Sequence, residues 1–317
     1  AYLSFSPVKD INIQIGQDKH FIGEGIRSLF ISDNAFNYPF LRMSYKLKSF
    51  NFYTMWTEFR DFDNSYYDYH TKKHAAFNYL SYNYKNRIEI GLFEGIIYRT
   101  TDTAEYVNKF KFDFFIPVPG IRSLINKFEA EHNLLIGLQS KIKLTDQIQI
   151  YGQLSLDNPK QRKFAYQSGF KIFDLLHSNF KNHQVYIQSE INFAKPGTYS
   201  HESVKYQTWS HYNQELAHPA GGDFIELLTE IEYTFKTLSL HYSFMNLDKN
   251  NRNTHSNIFI TDEENYLASP LKQTIRRHKL SVSYTINPRT GLQIYAGYDY
   301  RYSKLDTETK DNYLMFG

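Results

Sequence analysis

The feature that most constrains this chain is an alternation of apolar and polar residues that recurs from one end to the other. Over residues 134–144, Leu134, Ile136, Leu138, Ile142 and Leu144 fall on one face, and Gln139, Lys141 and Lys143 on the other. Val185, Ile187, Ile191 and Phe193 alternate with Gln184, Gln188, Glu190 and Asn192. Leu292, Ile294, Ala296, Tyr298, Tyr300 and Tyr302 alternate with Gln293, Asp299 and Arg301. A period of two belongs to a β-strand with one apolar and one polar face, because successive side chains leave opposite sides of the pleat. Helical spacing is sustained nowhere. The pattern predicts thirteen strands, at residues 11–18, 40–47, 50–60, 75–84, 87–98, 134–144, 147–156, 163–173, 184–193, 226–235, 238–247, 275–286 and 291–302.

Most of these segments have eight to twelve residues, the length of a tilted strand that crosses a bilayer and longer than the usual soluble strand. The connections divide by length. Lys48-Ser49, Lys85-Asn86, Thr145-Asp146, Lys236-Thr237 and residues 287–290 are short; residues 19–39, 61–74, 99–133, 194–225 and 248–274 are long. Antiparallel strands reverse direction at each step, so short turns gather at one end and long loops at the other. Residues 157–162 and 174–183 depart from the pattern. The segregation is that of a transmembrane antiparallel β-barrel with short periplasmic turns and long extracellular loops. A soluble sandwich or propeller also alternates, and periodicity does not say whether the apolar face points in or out. A propeller needs a blade-length repeat, and none is present.

Composition agrees with the barrel. Aromatic residues make up 17% of the 317, with 27 Tyr and 26 Phe against 2 Trp; tyrosine in that quantity suits a surface that is half apolar and half wet. No stretch of 18 apolar residues occurs, so no membrane-spanning helix is expected. A mean hydropathy of −0.55 reads as soluble, but a membrane barrel hides its apolar face in alternation. A net charge of +3 from 36 basic and 33 acidic residues is too balanced to imply nucleic acid. The absence of cysteine excludes disulfides and thiolate metal sites.

Catalytic patterns are thin. There is no HExxH, GxSxG, P-loop or GxGxxG; "FIGEGIRS" lacks the last glycine, and "HSNF" at 177–180 is an ordinary turn composition. His211 and His218, seven apart, form a weak metal spacing, and neither a metal nor a cofactor is expected. The expectation is a non-enzymatic protein. The long loop "TWSHYNQELAHPAGGDF", 208–224, brings together Trp209, His211, Tyr212 and Asn213. Rings beside amide and imidazole groups stack on and hydrogen-bond a sugar or peptide, so these four are candidates for a glycan or partner contact. The same residues also fit an interface girdle above a self-packed cap. Lys141/Lys143, Glu230/Glu232, Asp299/Arg301 and Arg42/Lys46 lie on polar faces; in a barrel they line the lumen, where they pair, meet an inserted segment or remain solvated.

The stretch "GQDKHFIGEGIRSLFISDNAFNYPFLRMSYK", together with "NRIEIGLFEGIIYR", "IYGQLSLDN", "SHYNQELAHPAGGDFIE" and the terminal "DNYLMFG", resembles the capsule-assembly (Wzi-type) outer-membrane barrels and the related RemB-like gliding-motility proteins. The similar stretches are spread over nearly the whole chain in barrel order. The resemblance implies a bacterial outer-membrane barrel at the cell surface, in contact with membrane lipid. It further implies association with exopolysaccharide or gliding, surface polysaccharide and other outer-membrane proteins being the candidate partners. A pore or transport barrel is the alternative. On this reading residues 19–39 fill the lumen or cap it, and Arg27, Asp33 and Asn34 anchor them to lumen charges. Residues 1–317 are expected to form one barrel domain trimmed at both ends: Tyr2 to Phe5 descends to a turn at Pro7 to Asp10, and Asn312 to Gly317 begins another strand. Thirteen complete strands, a clipped one at either end and one more before Tyr2 make sixteen the minimum, an even number as single-chain bacterial barrels have. A barrel that wide needs water or an inserted segment inside it.

Overall fold

A computed structural model of the chain describes residues 1–62, 70–99, 119–120, 132–157, 163–174, 182–200, 207–251, 271–305 and 307–317. Its strands are β1 (Tyr2–Val8), β2 (Ile11–Asp18), β3 (Tyr38–Leu47), β4 (Phe50–Phe62), β5 (His70–Tyr84), β6 (Ile88–Arg99), β7 (Asn133–Lys143), β8 (Ile148–Asp157), β9 (Lys163–Phe173), β10 (His183–Ala194), β11 (Ser210–His211), β12 (Gln214–Glu215), β13 (Phe224–Phe235), β14 (Leu238–Asn251), β15 (Leu271–Asn287), β16 (Leu292–Lys304) and β17 (Glu308–Phe316). Fifteen of them form one antiparallel sheet in sequence order, interrupted only where β11 and β12 leave the wall as a small hairpin of their own. The fold is an outer-membrane β-barrel wall, with each strand bonded to its neighbours in the chain.

The tight turns hold residues in the left-handed region that matches hairpin twist. Lys48, Lys236 and the pair Lys85 and Asn86 have φ between 51° and 54°, and the Asn83 side chain accepts the Asn86 N–H at 2.9 Å. Several strand ends differ from the sequence expectation by a few residues, those of β1 and β17 among them. β1 runs through Pro7 to Val8, with an irregular register between Phe5 and Val8, because a proline that cannot donate is tolerated at such a break. β17 begins at Glu308 rather than near Asn312, its register against β16 starting at Lys304. Alternation is weak over "ETKD", so the pattern concealed that start.

Which face points inward is decided by burial. On β13, Glu226 is 1% exposed while its neighbour Leu227 is 42% exposed. On β8, Gln149, Tyr151, Gln153, Ser155 and Asp157 are buried, whereas Ile150, Leu154 and Leu156 face out. A water-soluble sandwich cannot bury its carboxylates and amides while displaying its leucines; an apolar exterior of this extent requires lipid. The soluble alternatives are thereby excluded, and the wall is placed in a membrane. Leu280, Val282, Leu292 and Ile294 are exposed on the outer wall, and Ile187 and Ile191 lie on the face opposite buried Gln188, Glu190 and Asn192. Lys141 and Lys143 share the inner face of Gln139, Glu230 and Glu232 that of Glu226, and Arg301 that of Asp299. Exposed Tyr45, Phe50, Tyr82, Tyr84 and Tyr284 sit next to the short turns, an aromatic girdle at one membrane interface that accounts for part of the tyrosine content.

The core lies inside the wall. Ile22, Leu29, Phe30 and Ile31 from residues 19–37, and Tyr199, Trp209, Leu216, Ala217 and Ala220 from the connection between β10 and β13, cluster with the wall residues Phe59, Phe77, Phe93, Ile97 and Leu135.

Candidate functional site

Residues 19–37 leave β2 and re-enter β3 at the long-loop end, and between those points they fold into the lumen. A segment without secondary structure carries unpaired peptide groups, and away from water each needs a partner. Wall side chains supply them. Gln153 accepts the Leu29 N–H at 2.8 Å and donates to the Ile22 carbonyl at 2.9 Å; Gln167 donates to the Arg27 carbonyl at 2.9 Å. The Glu190 carboxylate accepts the N–H groups of Ile26 at 2.7 Å and Arg27 at 3.0 Å, together with the Tyr151 hydroxyl at 2.8 Å. A side chain at Gly25 would come within 2.6 Å of that carboxylate, so only glycine allows this approach. Gly137 does the same from the wall, where a Cβ would meet the Phe30 ring at 2.3 Å. Phe30 stacks on Phe93 with centroids 4.9 Å apart.

The connection between β10 and β13 enters from the same end and seals against the first segment. Trp209 Nε1 donates to the Phe30 carbonyl at 2.8 Å, the Tyr199 hydroxyl to the Leu29 carbonyl at 3.0 Å, and the Ser32 N–H to the Leu216 carbonyl at 2.7 Å. The Arg27 guanidinium reaches Glu226 at 3.4 Å. Glu226 also takes a bond from His218 Nε2 at 2.7 Å. Because His218 Nδ1 accepts the Ala220 N–H at 3.1 Å, the proton of the neutral ring sits on Nε2.

The rim is built on the β11–β12 hairpin. Its two turn residues, Tyr212 and Asn213, have φ of 49° and 57°. The two-residue turn prefers Asn or Gly at such angles, and an aromatic residue held there is strained. The strain is opposed by a mount at the end of β4. The Arg60 carbonyl accepts the Tyr212 N–H at 2.5 Å, and Asp61 accepts the Asn213 N–H at 2.9 Å. Buried Lys73 pairs with Asp61 at 2.5 Å and donates to the Thr208 carbonyl and the Ser210 hydroxyl. His211 Nδ1 accepts the Arg60 N–H at 3.0 Å, leaving Nε2 to donate to the Asn37 carbonyl at 3.3 Å. Burial holds the His211 ring below the usual histidine range.

The residues expected to form a surface contact therefore separate. Trp209, 1% exposed, and His211, equally enclosed, are not at the surface; the indole is large and apolar and belongs to the core, and the imidazole belongs to the mount. Tyr212 is half-buried and Asn213 exposed. Tyr212 meets Phe36 of the first segment edge to face, centroids 6.0 Å apart, and Phe36 is 55% exposed. The expected loop anchors separate too. Arg27 meets Glu226, whereas Asn34 donates to the Glu215 carbonyl at 3.0 Å, joining the two inserted segments rather than reaching a wall charge. Asp33 is exposed at the rim and makes contact through its backbone carbonyl, which accepts from Lys19 Nζ at 3.0 Å; at the rim its carboxylate keeps its hydration. "HSNF" at 177–180 lies outside the described residues, and among those described no group of three His, Asp or Glu could hold a metal ion.

The sequence reading missed Glu24, Gln153, Gln167 and Glu190. Their signal was present as polar faces of β7 to β10 rich in glutamine, Gln139, Gln149, Gln153, Gln167 and Gln188. An amide both donates and accepts, which suits a surface that must dock irregular backbone.

No family model matches the chain, and no curated protein matches it by sequence. Among solved structures it is similar to Wzi of Escherichia coli, an outer membrane protein involved in Group 1 capsule assembly and a carbohydrate-binding β-barrel. The TM-score is 0.68 at 13% identity, over 98% of this chain and 67% of that one. What the two share is the fold. The outer membrane protein opdK of Pseudomonas aeruginosa follows at a TM-score of 0.49 and 11% identity, over 98% and 76% of the two chains. OprD of the same organism scores 0.48 at 8% identity, over 96% and 77%.

Proposed function

We propose that this protein is a non-enzymatic barrel of the bacterial surface that retains exopolysaccharide at its plugged mouth, as a capsule-associated or gliding-associated component. The observation that carries this reading is the rim. Two inserted segments seal to each other and to the wall, and what they present outward is an aromatic ledge of Phe36 and Tyr212, with the exposed Asn213 next to it in the chain. Rings that stack on the apolar face of a sugar, with amides to bond its hydroxyls, are suited to a polysaccharide. The strained turn at Tyr212 supports it, since strain of that kind persists where a side chain has to be held in one place. The carbohydrate binding named for Wzi, a protein of the same fold, is consistent with this reading.

Replacing Phe36 and Tyr212 together by alanine should weaken binding of the cell's own exopolysaccharide by about thirtyfold, two stacking contacts of order 1 kcal/mol each. Heat-modifiable migration of the barrel on a gel should be unchanged. Undiminished binding by a correctly assembled variant would leave the ledge without this role.

The second reading is a pore. It rests on the charged residues of the inner faces of β15 and β16, where Arg277 pairs with Asp299 at 2.9 Å; residues of this kind line a water-filled lumen. Planar-bilayer conductance separates the two.

A further inference from the structure

The plug carries an acidic side chain into a basic corner of the wall. Glu24 stands between Gly23 and Gly25, and its carboxylate meets three donors. Oε1 accepts from Lys141 Nζ at 2.6 Å, Oε2 accepts from Gln149 Nε2 at 3.2 Å, and Lys171 Nζ lies 3.7 Å from Oε2. Lys141, Gln149 and Lys171 each sit within two residues of the short-turn end of their strand. The tip has thus crossed most of the lumen from the outer mouth. The side chains of Glu24, Lys141 and Lys171 are partly accessible, whereas Gln149 is buried, and the water that reaches the three charged groups is on the periplasmic side.

The charges around this corner balance only while Glu24 is present. Lys141 is shared with Glu89 at 2.9 Å, so the two lysines face two carboxylates. Without Glu24 the wall retains one uncompensated ammonium and one amide N–H directed at the same point. A partly desolvated excess charge of this kind favours any anion that restores the pairing. The backbone on either side of the tip is held by Gln153 at the Ile22 carbonyl and by the Glu190 clamp on Ile26 and Arg27; between them the Glu24 carbonyl has only a long bond from Gln188 at 3.4 Å, so the tip can give way while the clamps hold.

We propose that Lys141, Lys171 and Gln149 form a carboxylate-binding site on the lumen wall, and that Glu24 fills it as a stand-in for the carboxylate of an acidic sugar arriving from the periplasmic side. Binding of such a ligand displaces the plug tip. The site rests on the lumen geometry alone and does not depend on what the outer ledge binds.

D-glucuronate is the probe, with neutral methyl glucoside as the control, titrated calorimetrically into the full chain in detergent. Glu24→Ala should bind glucuronate about tenfold more tightly than the unaltered protein, the scale of one charge-assisted contact released from competition. Glu24→Gln, which keeps the shape and removes the charge, should move in the same direction, and Glu24→Ala with Lys171→Ala should lose the gain. In the unaltered chain, saturating glucuronate should raise hydrogen exchange over residues 19–25, and methyl glucoside should not. The proposal is overturned if neither Glu24 variant binds glucuronate more tightly than the parent, if the gain survives loss of Lys171, or if exchange over residues 19–25 is indifferent to glucuronate.

Discussion

His20 shows how the entry to the plug is tuned by its surroundings. The ring lies against Tyr38, centroids 5.6 Å apart, and edge-on to Phe40 at 4.3 Å. Burial, with the Arg42 guanidinium acting in the same sense and Asp18 opposing, lowers its pKa to about 4. A histidine whose folded pKa is depressed contributes nothing above the unfolded value of about 6.5, where both states are neutral. As pH falls from there towards 4 the undocked segment takes the proton first, so docking weakens across that window and the loss is complete below it. Isotope-detected titration should give a midpoint for His20 near 4, with protease protection of residues 19–37 declining over the same interval. A midpoint at the ordinary histidine value would mean that the ring is not enclosed. Legibility at this scale was uneven. Arg27 could be read as an anchor because it is a lone cation in an otherwise apolar run, but Glu190 could not, since its role depends on which peptide groups approach it from 164 residues away.

Strands were the most legible elements. All thirteen complete strands read from alternation are present, with ends displaced by a few residues, because the same alternation that marks a strand also divides lipid from lumen. The β11–β12 hairpin escaped, since strands of two residues have no period to display. The inserted segments could be located but not traced: their conformation is set by wall side chains rather than by local pattern. β10 offers a test of the faces. Ile187 is the fifth of its twelve residues and lies opposite buried Gln188. Arginine there should destabilise the barrel by about 2–4 kcal/mol if the position is close to the bilayer midplane. Equilibrium unfolding in phospholipid vesicles measures it, and a change under about 0.5 kcal/mol, the range of ordinary surface substitutions, would place Ile187 away from lipid.

For the whole molecule, the polar interior is what makes a plug feasible, because an apolar lumen could not satisfy the backbone of an irregular segment. Purified protein in a planar bilayer should therefore show low conductance, and a variant in which a short Gly-Ser linker replaces residues 20–36 should conduct several-fold more, as an emptied barrel of this width admits water. Equal conductance from both would assign the occlusion to some other part of the chain. The same architecture also imposes an order in time. Wall strands bond to chain neighbours and so close small loops, whereas the plug is held by contacts from Ile26 to Glu190 and from Arg27 to Glu226, 164 and 199 residues apart. Closing loops of that size is slow compared with zipping adjacent hairpins. Although residues 19–37 precede most of the wall strands in the chain, they are among the last to find their partners. Until β8, β9 and β10 have been laid down, the growing wall is a hollow trough with its stopper hanging loose.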